Sequence, residues 1–157
     1  MASLRVERDP AFWRAVAEHP EVAGRLGTPM SGAALEAFVA DLAVLPLAAV
    51  HGGYLFVRRD PLGFAAELHT LFTPEGWGRE ALEAAWLAFD AIFALGFQAV
   101  ITHEAQANRR SQPPLSFGFK RAGDWRETAF GTLRLWVLTA QAWAASPAAT
   151  RRRKPCH

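Results

Sequence analysis

Two adjoining stretches of the 157-residue chain hold residue types that could do chemistry. In FAAELHTLF, residues 64 to 72, Glu67 and His69 alternate with apolar residues; TPEGWGREA, residues 73 to 81, follows directly and carries Gly76 and Gly78. Such alternation predicts a strand, with Glu67, His69 and Leu71 facing one way and Phe64, Ala66, Leu68, Thr70 and Phe72 the other. A carboxylate and an imidazole on one face can take a proton from a nucleophile. A strand that ends in a Gly-x-Gly turn and enters a helix gathers unpaired N–H groups at the positive end of a helix dipole, a place suited to phosphate. The plain alternatives are a packed histidine, a solvated glutamate and an ordinary turn. Arg79 either meets a phosphate or only occupies the first helical turn, where its charge opposes the dipole and invites an anion.

The elements that must position these residues can be read along the chain. Asp9 and Pro10 make an N-cap and first helical residue, and Phe12, Trp13, Val16 and Ala17 supply an apolar face up to His19-Pro20. Val22 to Leu26 allows a further turn. Ser31 is placed to cap a second helix through Leu42, with Leu35, Phe38, Val39 and Leu42 at three-four spacing. LAAVHGGYLFVRR is β-rich, and its Gly52-Gly53 pair forms either a bulge or a hairpin turn. Asp60-Pro61-Leu62-Gly63 is a turn before the Phe64 strand. After the glycine turn comes a helix with Leu82, Trp86, Phe89 and Phe93 on one stripe and Gly96 as its C-terminal cap. QAVITHEA, residues 98 to 105, is then a strand reached by a right-handed crossover, parallel to Phe64–Phe72. Gln106 to Ser116, with Pro113-Pro114, is poor helix material. Thr128 to Leu138 alternates as a last strand, and Ala140 to Ala145 is a short helix. His103, two residues after Ile101, could join Glu67 and His69 across the ladder, though a strand histidine is also an ordinary structural residue.

Composition bounds the function classes. The chain is 51% hydrophobic with 6 Trp and 11 Phe, and its length fits one domain. We therefore expect a single domain over residues 1–146 and a flexible basic tail over 147–157. Lys and Arg total 17 against 15 Asp and Glu, but Arg151, Arg152, Arg153 and Lys154 sit together in the tail; without them the body is slightly acidic. That argues against nucleic acid as a partner, beyond a weak contact of the tail with a polyanion. Cys156 is the one cysteine, so there is no disulfide framework and no CxxC metal site. No signal core and no long apolar run occurs, from which we expect a cytoplasmic protein away from the membrane, a monomer or homodimer.

In order of elements and in motif the chain resembles the GNAT superfamily of acyl-CoA-dependent N-acyltransferases. The cofactor loop of that family reads Gln/Arg-x-x-Gly-x-Gly/Ala, and in the ribosomal-protein N-terminal acetyltransferase branch P-E-x-W-G-x-G; here it is Pro74-Glu75-Gly76-Trp77-Gly78-Arg79-Glu80-Ala81. Asn108 and Ser111, an N-x-x-S, and Gly118-Phe119 also match, and the likeness spans about residues 46 to 125. GDWRETAFGTLRLWVL loosely resembles the end of phage-associated proteins with this kind of loop. The resemblance implies an α/β fold with a mixed, mostly antiparallel sheet, a central parallel strand pair and flanking helices. It implies acetyl-CoA as cofactor, transfer of its acetyl group to an amine acceptor, small molecule or protein, by direct attack, and no metal. Glu67 and His69 are then the candidate catalytic pair. Leu71, Phe72, Thr73, Gly76, Trp77, Gly78, Arg79, Glu80 and Ala81 would then bind the cofactor, the glycine loop holding its pyrophosphate, and Asn108 and Ser111 would hydrogen-bond the pantetheine; Ser111 could equally cap the next turn. Glu75 and Glu80 replace residues that would not repel a pyrophosphate, Pro113-Pro114 alters the wall beside the arm, and the tyrosine that often protonates the leaving thiolate has no counterpart. Tyr54 is the single tyrosine. The alternative is a GNAT-like binding or structural module without catalysis, and the side-chain position of Glu80 separates the two readings.

Overall fold

In a computed structural model of the protein, residues 3–23, 32–105, 113–128 and 131–153 are described. The elements run β1 (Arg5–Val6), α1 (Pro10–Ala17), α2 (Pro20–Ala23), α3 (Gly32–Ala40), β2 (Val44–Ala48), β3 (Gly52–Arg58), β4 (Ala65–Phe72), α4 (Arg79–Ala94), β5 (Ala99–Ala105), β6 (Lys120–Thr128), β7 (Gly131–Thr139), α5 (Ala140–Ala144) and α6 (Pro147–Arg153). The strand order is β1-β2-β3-β4-β5-β7-β6 in a seven-stranded sheet. β1/β2, β2/β3, β5/β7 and β6/β7 pair antiparallel, and β4/β5 is parallel, so the expected mixed, mostly antiparallel α/β architecture is present. The chain divides into two compact units, Met1–Arg58 with Leu68–Asp90, and Arg59–Glu67 with Ala91–His157.

In the first unit, β3 is buried along nearly its whole length because it is covered on both faces. Leu55 and Val57 join a core with Trp13 and Val16 of α1, Val22 of α2, Leu35 and Val39 of α3, and Leu71 of β4. The alternate residues Tyr54 and Phe56 instead meet Phe89 of α4, with ring centroids 6.4 and 6.1 Å away. Trp13 is fully buried, and its indole N–H donates to the Glu7 carbonyl at 2.8 Å. Burying a large apolar side chain stabilises by about 1.5–3 kcal/mol, so these contacts set the order of the layers. The start of α1 is as expected: the Asp9 carboxylate accepts from the Ala11 amide and Pro10 opens the helix.

Gly52-Gly53 turns out to begin the second strand of a hairpin, with Ala48 opposite Gly53. Neither glycine has room for a side chain. A Cβ on Gly52, whose φ is +146°, would lie 2.2 Å from the Leu71 carbonyl oxygen, and one on Gly53 would lie 2.1 Å from that of Leu47. The hairpin turn is therefore packed directly on the end of β4.

In the second unit, Asp60 organises the turn before β4. Its carboxylate accepts from the Phe64 and Ala65 amides at 3.0 and 2.8 Å, and these bonds hold its carboxyl below the usual range. β5 lies beside the first residues of β4 with Glu67 opposite Ile101. Phe117 and Trp143 pack edge to face at 5.6 Å.

Several expectations are corrected. α3 ends at Ala40, not Leu42, because the Asp41 carboxylate accepts from the Ala43 amide at 2.8 Å and turns the chain; Leu42 is exposed. Ser31 lies outside the described residues. The buried side of α4 is Ala84, Ala85, Ala88, Phe89 and Ile92, so Phe89 alone of the expected stripe is fully buried, and the alanines bring the helix backbone close to its neighbours. The last strand, expected over Thr128 to Leu138, is β7 at Gly131–Thr139, and β6 before it has no counterpart in the sequence reading; Gly123 falls at an irregularity in the ladder that β6 passes through. Residues 147–153, expected as flexible tail, are helical: the Ser146 hydroxyl accepts from the Ala149 amide at 3.1 Å, and Ala148 and Ala149 are buried.

Gly52→Ala is expected to lower stability by at least about 3 kcal/mol, or about 6–12 °C in Tm, because only backbone atoms could yield. Gly123→Ala, with nothing within 4 Å of the added Cβ, is expected to change Tm by less than about 2 °C. Thermal melts of both variants check this; similar Tm values for the two would contradict it.

Candidate functional site

In the first unit, β4 ends at Phe72, residues Pro74–Gly76 form one 3-10 turn, and α4 begins at Arg79. Gly76 is buried, and a Cβ there would lie 2.8 Å from Phe72 Cδ1 and 3.0 Å from His51 Cβ. Gly78 differs: its φ is +81° and nothing lies within 4 Å of where a Cβ would stand. One glycine thus allows close packing, and the next a left-handed turn beside open space. The first amide of α4 with a carbonyl partner behind it is Leu82, which donates to Gly78 at 3.0 Å. The N–H groups of Gly78, Arg79, Glu80 and Ala81 therefore open the helix with no carbonyl of a preceding helical turn to receive them.

Glu80 decides whether that opening is usable. Its Oε1 accepts from the Val50 and His51 amides at 3.0 and 2.9 Å, and its Oε2 lies 2.7 Å from His51 Nδ1. The carboxylate is thus spent on the β2–β3 turn. Partial burial works to raise the Glu80 carboxyl, but the His51 ring and amide and the Val50 amide together hold it below the usual range. His51 closes the other side, its carbonyl accepting from the Thr73 amide at 2.9 Å. The turn and the loop are consequently one hydrogen-bonded piece.

The other loop residues named from sequence lie around it. Leu71 and Phe72 are buried, and the Phe72 carbonyl accepts from the Trp77 indole at 3.0 Å, so the Phe72 C=O and Thr73 N–H are already engaged inside the protein. Arg79 is largely exposed and donates to Glu83 at 2.7 Å, one turn along the helix. Glu75 is bonded by the Thr73 hydroxyl, which, with its own amide, holds its carboxyl low. The Tyr54 hydroxyl donates to the Ala81 carbonyl at 2.7 Å, and burial pushes its acidity well down. It braces the first turn of α4. Asn108 and Ser111 lie outside the described residues.

Glu67 and His69 are two residues apart on β4 but have different surroundings. In the first unit, His69 meets Phe38 edge to face at 5.9 Å. In the second, Glu67 is mostly covered: Arg59 Nε donates to its Oε2, and His103 Nδ1 lies 3.8 Å from its Oε1. The His103 ring stacks on Trp125 at 4.6 Å and 28°. Val50, His51, Arg59 and Trp125 were not singled out from sequence. His51 could have been suspected from its place before Gly52-Gly53, whereas Arg59 and Trp125 become relevant only once strands are paired. Among the described residues no group of three or more His, Cys, Asp or Glu could hold a metal ion, and no helix is long and apolar enough to cross a membrane.

Neither a family model nor a curated protein matches the chain. Solved structures do. The spermidine N-acetyltransferase from Vibrio cholerae in complex with CoA and spermine matches with a TM-score of 0.73 at 18% identity, over 90% of this chain and 97% of that one. The aminoglycoside acetyltransferase AAC(6')-Ib in complex with coenzyme A matches with a TM-score of 0.72 at 16% identity, over 98% of this chain and 100% of that one. At these identities the likeness is one of fold, and the fold is that of the GNAT acetyltransferases.

Glu80→Gln tests this link between the loop and the β2–β3 turn. Because the folded-state carboxyl is held low, its stabilisation is present above the unfolded carboxyl value near ~4.3 and is lost as pH falls through the folded value. Thermal melts across pH are expected to show the variant below the parent at pH 7 and the gap closing below about pH 4. A gap that persists unchanged into acid would contradict it.

Proposed function

We propose that the protein is an N-acyltransferase that moves an acetyl group from acetyl-CoA to an amine by direct attack. The observation that carries this reading is the turn of Glu80 towards Val50 and His51, which keeps its carboxylate off the helix-opening amides of Gly78 to Ala81, while nothing lies within 4 Å of where a Cβ on Gly78 would stand. Those amides suit the pyrophosphate, since backbone N–H groups and the helix dipole act together on an anion. Arg79 would turn from its exposed pair with Glu83, which costs little to break. Gly76 keeps the loop tight, and Tyr54 and His51 fix its two ends.

When bound, acetyl-CoA supplies a thioester whose acyl carbon bonds to the amine nitrogen as its carbon–sulfur bond breaks. The chain has to orient the amine and remove a proton from it. Glu67 is the candidate base: it is mostly covered, fixed by Arg59, and neighboured by His103. His69 remains the second candidate from sequence, and its contact with Phe38 gives it a packing role as well. The reading of a GNAT-like module without catalysis is supported by Tyr54, whose hydroxyl is committed to the Ala81 carbonyl instead of a leaving thiolate.

Calorimetric titration with acetyl-CoA is expected to show binding by the parent and at least about a tenfold weaker affinity for Gly78→Asp, in which a carboxylate and a strained φ enter the loop. No binding by the parent would remove the acyltransferase reading; equal binding by the variant would remove the loop from it. In a thiol-release assay with an amine acceptor, Glu67→Gln is expected to lower kcat by about 10²-fold or more with acetyl-CoA affinity unchanged. Binding without any thiol release by the parent would favour the non-catalytic module.

A further inference from the structure

The two faces of the sheet in the second unit differ in cover. On one, Val100, Glu104, Trp136 and Leu138 are buried. On the other, register places His103 opposite Leu135, Ile101 opposite Val137, and Trp125 opposite Leu133, while Glu67 lies beside Ile101. Residues opposite one another in a ladder share a face, so Glu67, Ile101, His103, Leu133, Leu135 and Trp125 lie on one surface. The strand residues there are only half-buried, and Trp125 is 54% exposed. The result is an apolar strip with a carboxylate at one end and an open indole at the other.

Resting on the acyltransferase reading, we propose that this face receives the acceptor and selects primary amines carried on an aromatic or other flat apolar body. The ammonium group is complementary to Glu67, the one carboxylate among those six residues. The body lies along Leu135 and Leu133 and ends against the Trp125 indole. That ring is already held by its stack on His103, so little ordering cost is incurred when a flat group packs on it. A polycation fits less well. Among those six residues no carboxylate besides Glu67 would receive a second ammonium, which would lie on apolar side chains without a partner.

The test uses the full chain with acetyl-CoA and two acceptors, tryptamine, which has a flat ring and one ammonium, and spermidine, which has several cations and no ring. Tryptamine is expected to give the higher kcat/KM by about tenfold or more. Trp125→Ala is expected to raise KM for tryptamine about tenfold with kcat, acetyl-CoA affinity and Tm unchanged, and Trp125→Phe to restore most of the loss. Equal or better use of spermidine, or an unchanged KM in Trp125→Ala, would overturn the proposal. Calorimetry of tryptamine against the protein alone separates the two levels of inference. If acetyl-CoA fails to bind but tryptamine binds and Trp125→Ala abolishes it, the acyltransferase reading falls and the amine site stands; if acetyl-CoA binds and tryptamine does not, the amine site falls.

Discussion

The carboxylate of Glu80 is the interaction on which the candidate site depends. It joins the start of α4 to the β2–β3 turn through two backbone amides and an imidazole. A glutamate in the first turn of a helix is favourable to the helix dipole in any case. Its position here has a second effect, because a carboxylate aimed at its own helix opening would compete with any phosphate there, whereas one spent on a neighbouring turn leaves the opening to a ligand. The loop thereby gains rigidity from a residue that in sequence looked like an obstacle. His51 completes the piece from the other side by accepting from Thr73, and the absence of side chains at Gly52 and Gly76 lets the two turns approach closely.

The second unit carries a different kind of organisation. Its sheet closes one face and leaves the other partly open, and the polar groups on the open face are tied to one another: Arg59 to Glu67, His103 near Glu67, Trp125 on His103. Fixing a carboxylate on two sides costs it freedom and gains it orientation, which is what a group that must meet a substrate proton requires. The half-exposed Trp125 is a rigid ring with few torsions, which suits it to the orienting use proposed above.

Much of the frame was legible in the sequence because local chemistry dictates it. Asp9-Pro10 starts a helix, Asp60 closes a turn, and the alternating residues before a Gly-x-Gly turn make β4 and the entry to α4, all through contacts a few residues long. What could not be read depends on partners distant in sequence. Glu80 and His51 are 29 residues apart and Trp136 and Glu104 are 32 apart, so no spacing rule links them. From sequence Glu80 reads as a carboxylate that would repel a phosphate at the loop, because the hairpin that satisfies it lies on another strand pair. β6 likewise shows itself only through its partner, β7, whose ladder it joins across an irregularity at Gly123.

The claim that the open amides of α4 form the anion site is tested most directly by residue-resolved amide exchange with and without saturating acetyl-CoA. The account predicts slower exchange at Gly78, Arg79, Glu80 and Ala81 on addition, with Val50 and His51, already bonded to Glu80, little changed. Unchanged exchange at Gly78 to Ala81 in the presence of bound acetyl-CoA would contradict it.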